Sequence, residues 1–334
     1  MNKIFRIVWS QATQSWVVVS ELTKAHKKQS SSNSQGSAVK FSGNFIKSSA
    51  VALALLSGHS AYAVVNVPGT GHDKAVAFGP SSNASGSDSV ALANSATASG
   101  MGAVAVGNSS QATKNNGVAV GRKTISTGDS AIALGYSANA SADLSEAIGV
   151  ETVSSGDRSI AIGYRGKAVG RDSVAIAHKS NASGNNSIAI GMNSAASMEN
   201  AVAIANGSVA SGNHSIAMGA SSKATGDTAM ALGKDAKASG IQAVGISAGS
   251  NAQGDRSLAI GQNSSTNNAD TIALGTNSKA TGQYAVAFGR NTSATGTRAM
   301  AFGNEAQSIH NDSIAIGNGS KANHHNTIVL VIQV

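Results

Sequence analysis

From Ala75 onward, large apolar residues return in the same two places of every 14, without insertion or deletion. The unit is a pentapeptide of small, large apolar, alanine, large apolar and glycine. It reads Ala131-Ile132-Ala133-Leu134-Gly135, Ser159-Ile160-Ala161-Ile162-Gly163, Ser187-Ile188-Ala189-Ile190-Gly191 and Ser313-Ile314-Ala315-Ile316-Gly317. First positions run from Ala75 to Thr327 in steps of 14, which makes 19 copies. A period this short, held for so long, predicts a solenoid.

Each copy carries two extended segments. The pentapeptide alternates with period two, as a strand does. The second segment is a run of small residues such as Ala182-Ser183-Gly184, Ala224-Thr225-Gly226 or Ala280-Thr281-Gly282. Glycine tends to end each segment, which predicts tight corners with positive φ at those glycines. Two short strands and two corners make one flattened coil. Parallel stacking at about 4.8 Å per coil gives a rod of roughly 90 Å.

The second and fourth positions of the pentapeptide are Val, Ile, Leu, Met or Phe in 37 of 38 cases, and the third is Ala in 17 of 19. Both faces of this strand are therefore apolar, one bulky and one small. One coil covers only one of them with its own second strand, and the other would be a patch larger than monomers expose. Oligomerisation follows. The pattern leaves open which face meets the partner.

Glu146 is the exception in the bulky series. The simpler expectation is a local bulge in which Leu144 takes the apolar place. The alternative is a carboxylate at the axis of an oligomer, where copies would share protons or an ion, since an unpaired buried charge is costly.

Composition agrees with thin stacked units. Aromatics are 4% and charged residues 12%, while 41% of the chain is apolar, with 38 Gly, two Pro and no Cys. Those numbers argue against one thick core, a disordered linker and a disulfide scaffold alike. The formal charge of +8 is concentrated near the start. Residues 1–63 hold seven Lys and Arg against one acid, Glu21, leaving 17 basic and 15 acidic residues beyond. No basic stripe with interleaved aromatics exists, which excludes a nucleic-acid binder.

The leader accounts for the early charge. After the basic lead-in Lys40 to Lys47, residues 48–58 form an apolar run too short to span a bilayer, followed by Ser60-Ala61-Tyr62-Ala63. This predicts signal cleavage between Ala63 and Val64, with Ala61 and Ala63 as the small residues of the cleavage signal. Upstream, residues 1–28 (MNKIFRIVWSQATQSWVVVSELTKAHKK) hold both tryptophans. That segment resembles the extended signal-peptide region of large type V secreted proteins of Gram-negative bacteria, which implies export through the inner membrane. The organisation is thus 1–28 extended signal region, 29–63 remainder of the signal peptide, 64–74 lead-in, 75–331 repeats and 332–334 a short end.

The Ser-Ile-Ala-Ile-Gly…Ala-x-Gly pattern at a 14-residue period resembles the head repeat of YadA-type trimeric autotransporter adhesins. The resemblance covers residues 75 to about 331. It implies an all-β fold, a left-handed parallel β-roll packed as a homotrimer. It also implies non-catalytic adhesion to matrix proteins such as collagen, fibronectin or laminin, to host cells, to surfaces or to sister bacteria. The location it implies for a complete protein is the cell surface and outer membrane. One departure stands out: no coiled-coil stalk or membrane-anchor segment follows the repeats, and the last copy, Thr327-Ile328-Val329-Leu330-Val331, carries valines where Ala and Gly belong. The expectation is a chain truncated relative to the family, without its own anchor, periplasmic or secreted as written.

Little else suggests chemistry. Serines recur at corner and strand-edge slots, where local backbone bonding explains them. Gly166-Lys167-Ala168-Val169-Gly170 lacks the strand-to-helix setting of a phosphate loop. His310 and His324 stand one period apart, with His325 beside them, and stacking could align them as a weak metal candidate; the plainer reading is exposed corner residues. Regular Asp for calcium and Thr-x-Thr ladders for ice are missing. No cofactor and no catalytic residue is expected. The runner-up to adhesion is a passive spacer that projects another domain.

Overall fold

The computed structural model describes residues 5–10, 15–20 and 74–332. In the leader, Phe5–Ser10 and Ser15–Ser20 pair as an antiparallel hairpin, with Trp9 opposite Trp16. The expected cleavage signal, Ala61, Ala63 and Val64, lies outside the described residues.

Residues 74–332 form an all-β parallel solenoid of about 18 turns. Strands recur every 14 residues from Val76–Phe78 to Ile328–Leu330, and shorter ones from Asn83–Ala84 to Lys321–Ala322. Each strand pairs in parallel with its counterpart one coil away, so like positions stack on like: Ile132 on Glu146, Ala133 on Ala147, Leu134 on Ile148, and Asn139 on Val153 in the second sheet. Corners join the same ladder. Gly135 N donates to Val120 O at 2.8 Å, Ser137 N to Arg122 O at 3.0 Å and Leu144 N to Asp129 O at 2.9 Å. Backbone groups that a single coil leaves unpaired are thus satisfied by the next coil.

The open question about the two faces is answered by size. Inside the coil sit only small side chains: Ala131, Ala133, Ala138 and Ala140 are fully buried and cluster together. At several strand entries where Ser or Thr replaces Ala, the hydroxyl bonds the carbonyl three residues back. Ser82 Oγ donates to Gly79 O at 2.8 Å and Ser89 Oγ to Gly86 O at 2.7 Å. Ser154 and Ser308 instead pair with Ser159 and Ser313 across the interior, at 2.6 Å in both cases. A polar group buried this way retains its bond, so Ala and Ser interchange within one fold. The bulky residues point outward.

Two expectations are corrected. The glycines of the Ala-x-Gly segments do not supply the positive-φ corners. Gly184 lacks positive φ, and its role is steric: a Cβ there would collide with the Met198 carbonyl one coil on. The left-handed corners with φ near 55° are filled mostly by other residues, among them Ser137, Leu144 and Arg158, held there by the coil-to-coil ladder. Only the glycine closing the pentapeptide behaves as expected, with Gly135 at φ 126°. Nor does Glu146 mark a bulge. Glu146–Val150 pairs in register on both sides, and Leu144 sits at an exposed left-handed corner, φ 56°. Glu146 lies on the outer face and not in the coil core.

Candidate functional site

A solenoid with an alanine interior presents its chemistry on its outside, as rows about 4.8 Å apart. Three rows matter here.

The first is the bulky row. Ile132, Leu134, Ile160, Ile162, Ile188 and Ile190 are all half-buried, lying on the outer face of the first sheet. The row runs unbroken from Val76 to Leu330 except at Glu146; within it Phe78 is 51% and Phe288 52% exposed, and at its end Ile328 reaches 70%. Glu146 stands between Ile132 and Ile160, and its carboxylate has no hydrogen-bond or ion-pair partner among the described residues. Gly163, Gly191 and Gly317 close their pentapeptides with φ of 127°, 128° and 111°.

The second is the outer face of the shorter strands. Asn, Ser, Thr, Gln and Lys dominate it, and Lys223 stacks on Lys237 in register. There an open groove of about 470 Å³ is lined by Ser221, Lys223, Asp235, Lys237, Gly249 and Asn251.

The third comprises the corners, which carry ladders of polar side chains. Met101 N donates to Asn115 Oδ1 and Asn115 N to Asp129 Oδ1, both at 3.2 Å, and Asp129 N to Asp143 Oδ1 at 2.9 Å. Arg158, Arg256 and Arg298 each grip the aspartate of the next coil, Asp172, Asp270 and Asp312, through two bonds of 2.6 to 2.8 Å. The guanidinium hydrogen bond holds each of these carboxyls below its ordinary range and raises the arginine. A carboxyl lowered on folding contributes stability above its unfolded pKa of about 4, lost as pH falls through the lower folded value. All three pairs are solvent-exposed and screened, so the contribution is small. Asp172→Asn is therefore expected to leave the melting temperature almost unchanged from pH 5 to 8. Below about pH 4 the wild type should lose its slight advantage, and molar salt should erase it.

The histidines come together as the spacing suggested. The His310 and His324 rings stack with centroids 6.5 Å apart and planes at 7°, and His325 lies 4.8 Å from His310. No group of three or more His, Cys, Asp or Glu side chains able to hold a metal ion occurs among the described residues.

One run of large side chains departs from the repeat. At the corner position just after the closing glycine, Tyr136, Val150, Tyr164, His178 and Met192 follow one another in successive coils. Elsewhere that position holds residues such as Asn94, Asn206, Gln262 and Thr276. Comparing like positions across copies, rather than reading along each copy, would have exposed it.

The family described as YadA head domain repeat (2 copies) matches residues 73–92, 98–124, 126–143, 147–165, 168–194, 196–222, 224–244, 252–278, 280–306 and 311–330. The family described as Extended Signal Peptide of Type V secretion system matches residues 1–57. A stretch of 31 residues is 61% identical to autotransporter adhesin NhhA of Neisseria meningitidis serogroup B, covering 9% of this chain and 5% of that protein. The chain thus spans only a small part of that relative. Among solved structures, the collagen-binding domain of the Yersinia adhesin YadA is similar at 28% identity over 46% of this chain and 72% of that one, with a TM-score of 0.30.

Proposed function

The chain belongs to the YadA head-repeat family of trimeric autotransporter adhesins, and from that membership we propose that residues 74–332 act as an exported adhesive head. Processing after Ala63 removes the leader. Three copies then pack as left-handed rolls with their bulky rows turned toward a common axis, and the polar sheet and corners face outward. Adhesion is non-catalytic and multivalent: many weak contacts on a rigid array add up through effective concentration. The partners are extracellular-matrix proteins, collagen foremost, with fibronectin, laminin, host cells and sister bacteria as further targets.

The observation that carries this reading is the bulky row itself. An alanine-filled coil leaves large apolar side chains half-exposed along the whole solenoid. Contiguous apolar surface of that extent marks an interaction face. The corners and the outer face of the shorter strands are then free for a ligand. The test is binding of the processed head to immobilised collagen, fibronectin, laminin and cells. Saturable, trimer-dependent binding supports adhesion, and no binding to any of them favours a spacer.

Packing three rows together sets three Glu146 carboxylates in an apolar contact, where like charges oppose one another and lack partners. Glu146→Val is accordingly expected to raise the melting temperature of the assembled head by several degrees at neutral pH, read by circular dichroism. An unchanged melting temperature and pH profile would place Glu146 outside the contact.

A further inference from the structure

The corner row of large side chains has a length and spacing of its own. Tyr136, Val150 and Tyr164 are each 38–39% exposed and Met192 43%. The strands beneath are lengthened at this point alone among the described residues: Glu146–Val150 and Ile160–Tyr164 have five residues where the other pentapeptide strands have three, adding the pairs Gly149–Gly163 and Val150–Tyr164. Both tyrosine rings are pinned by cations. Arg122 lies 5.8 Å from the Tyr136 ring centroid and Arg165 4.9 Å from that of Tyr164, and Arg165 is itself tied to Glu151. His178 flanks Tyr164 at 5.2 Å. Aromatic side chains held in place before binding lose little freedom on contact.

The row is not part of a copy-to-copy contact. Such a contact would repeat along the rod as the bulky row does, whereas large side chains fill this position in consecutive coils only here, Ile332 standing alone in the last copy. What it offers is a ruler. Tyr136 and Tyr164 are two coils apart, about 9.6 Å at the parallel-strand spacing. One turn of a polyproline-II helix is three residues, about 9.3 Å. The smaller Val150 between the tyrosines leaves a low point one turn long. Aromatic ridges at this pitch suit an extended proline-rich chain, whose preformed shape makes it inexpensive to bind.

We propose that Tyr136, Val150 and Tyr164 form a docking site for one polyproline-II segment of a polypeptide ligand, three sites to a trimer. The proposal rests on the adhesive reading above and gives it a contact point.

The leader contains both tryptophans, so the processed chain reports through tyrosine, and Tyr136 and Tyr164 are two of the three that remain beside Tyr284. Titrating the processed trimer with an oligoproline peptide is expected to change tyrosine emission saturably, while a glycine–serine peptide of equal length leaves it flat. Tyr136→Ala and Tyr164→Ala should each weaken binding about tenfold, and Tyr284→Ala should not. Val150→Tyr, which adds a ring at an exposed site that already carries rings in adjacent repeats, should block it. No oligoproline binding, unchanged affinity in these variants, or loss of trimer mass on tyrosine removal would overturn the site. A head that still holds matrix proteins but ignores oligoproline defeats this site alone, and a head that holds neither defeats the adhesive reading as well.

Discussion

Replacing Ile188 and Ile190 together by aspartate is expected to turn the proposed trimer into folded monomers. Both side chains point out of the coil, while Ala189 between them points in and is fully buried. The exchange therefore spares the interior. In the assembly it would place six carboxylates in an apolar contact that supplies no cation. Burying an unpaired charge costs several kcal/mol, against about 2 kcal/mol gained for each large apolar side chain removed from water. The sign is decided by that difference, multiplied over three copies. Light scattering should report the mass of one chain, and circular dichroism should still report strand. A trimer that survives the exchange would mean that the bulky row is not where copies meet.

The second large effect lies one residue away. Ala189→Leu is expected to unfold the coils around it, because Ala189 is packed among alanine methyl groups and nothing larger than Thr is fully buried among the described residues. Ala189 pairs with Ala175 and Ala203, and shares its core with Ala182 and Ala196 of the shorter strands. Overpacking an ordinary core costs about 1–3 kcal/mol. Here the cost is larger, since forcing the two strands of one coil apart also breaks the ladder to both neighbouring coils, the only contacts a solenoid repeat has. Ile188→Leu, on the outer face of the same strand, should change the melting temperature little. A small loss for Ala189→Leu would show that the interior contains space that the alanine packing denies.

Much of this fold was legible before any coordinates. The period, the paired strands and the parallel stacking all follow from the Ser-Ile-Ala-Ile-Gly pattern and its strict spacing. The choice of face was not, because both faces of the pentapeptide are apolar and alternation alone is symmetric. The deciding clue lay in the other strand: Ala138 and Ala140 leave so thin a coil that only Ala133, not Ile132 or Leu134, fits inside. The left-handed corners were hidden for a different reason. Ser137, Leu144 and Arg158 share a φ near 55° without sharing chemistry, since that conformation is imposed by hydrogen bonds from the neighbouring coil. Glu146 suggested a slip for the same reason, yet in-register pairing on both sides holds it in place. The tyrosine row went unread because it is a departure from the repeat, visible only when the copies are aligned with one another.

In the proposed assembly the bulky row is buried between copies. The mass of the processed chain, residues 64–334, measured by light scattering after size exclusion, tests it most directly. Three chains is the predicted result. A soluble single chain, stable with its isoleucines open to water, would contradict it.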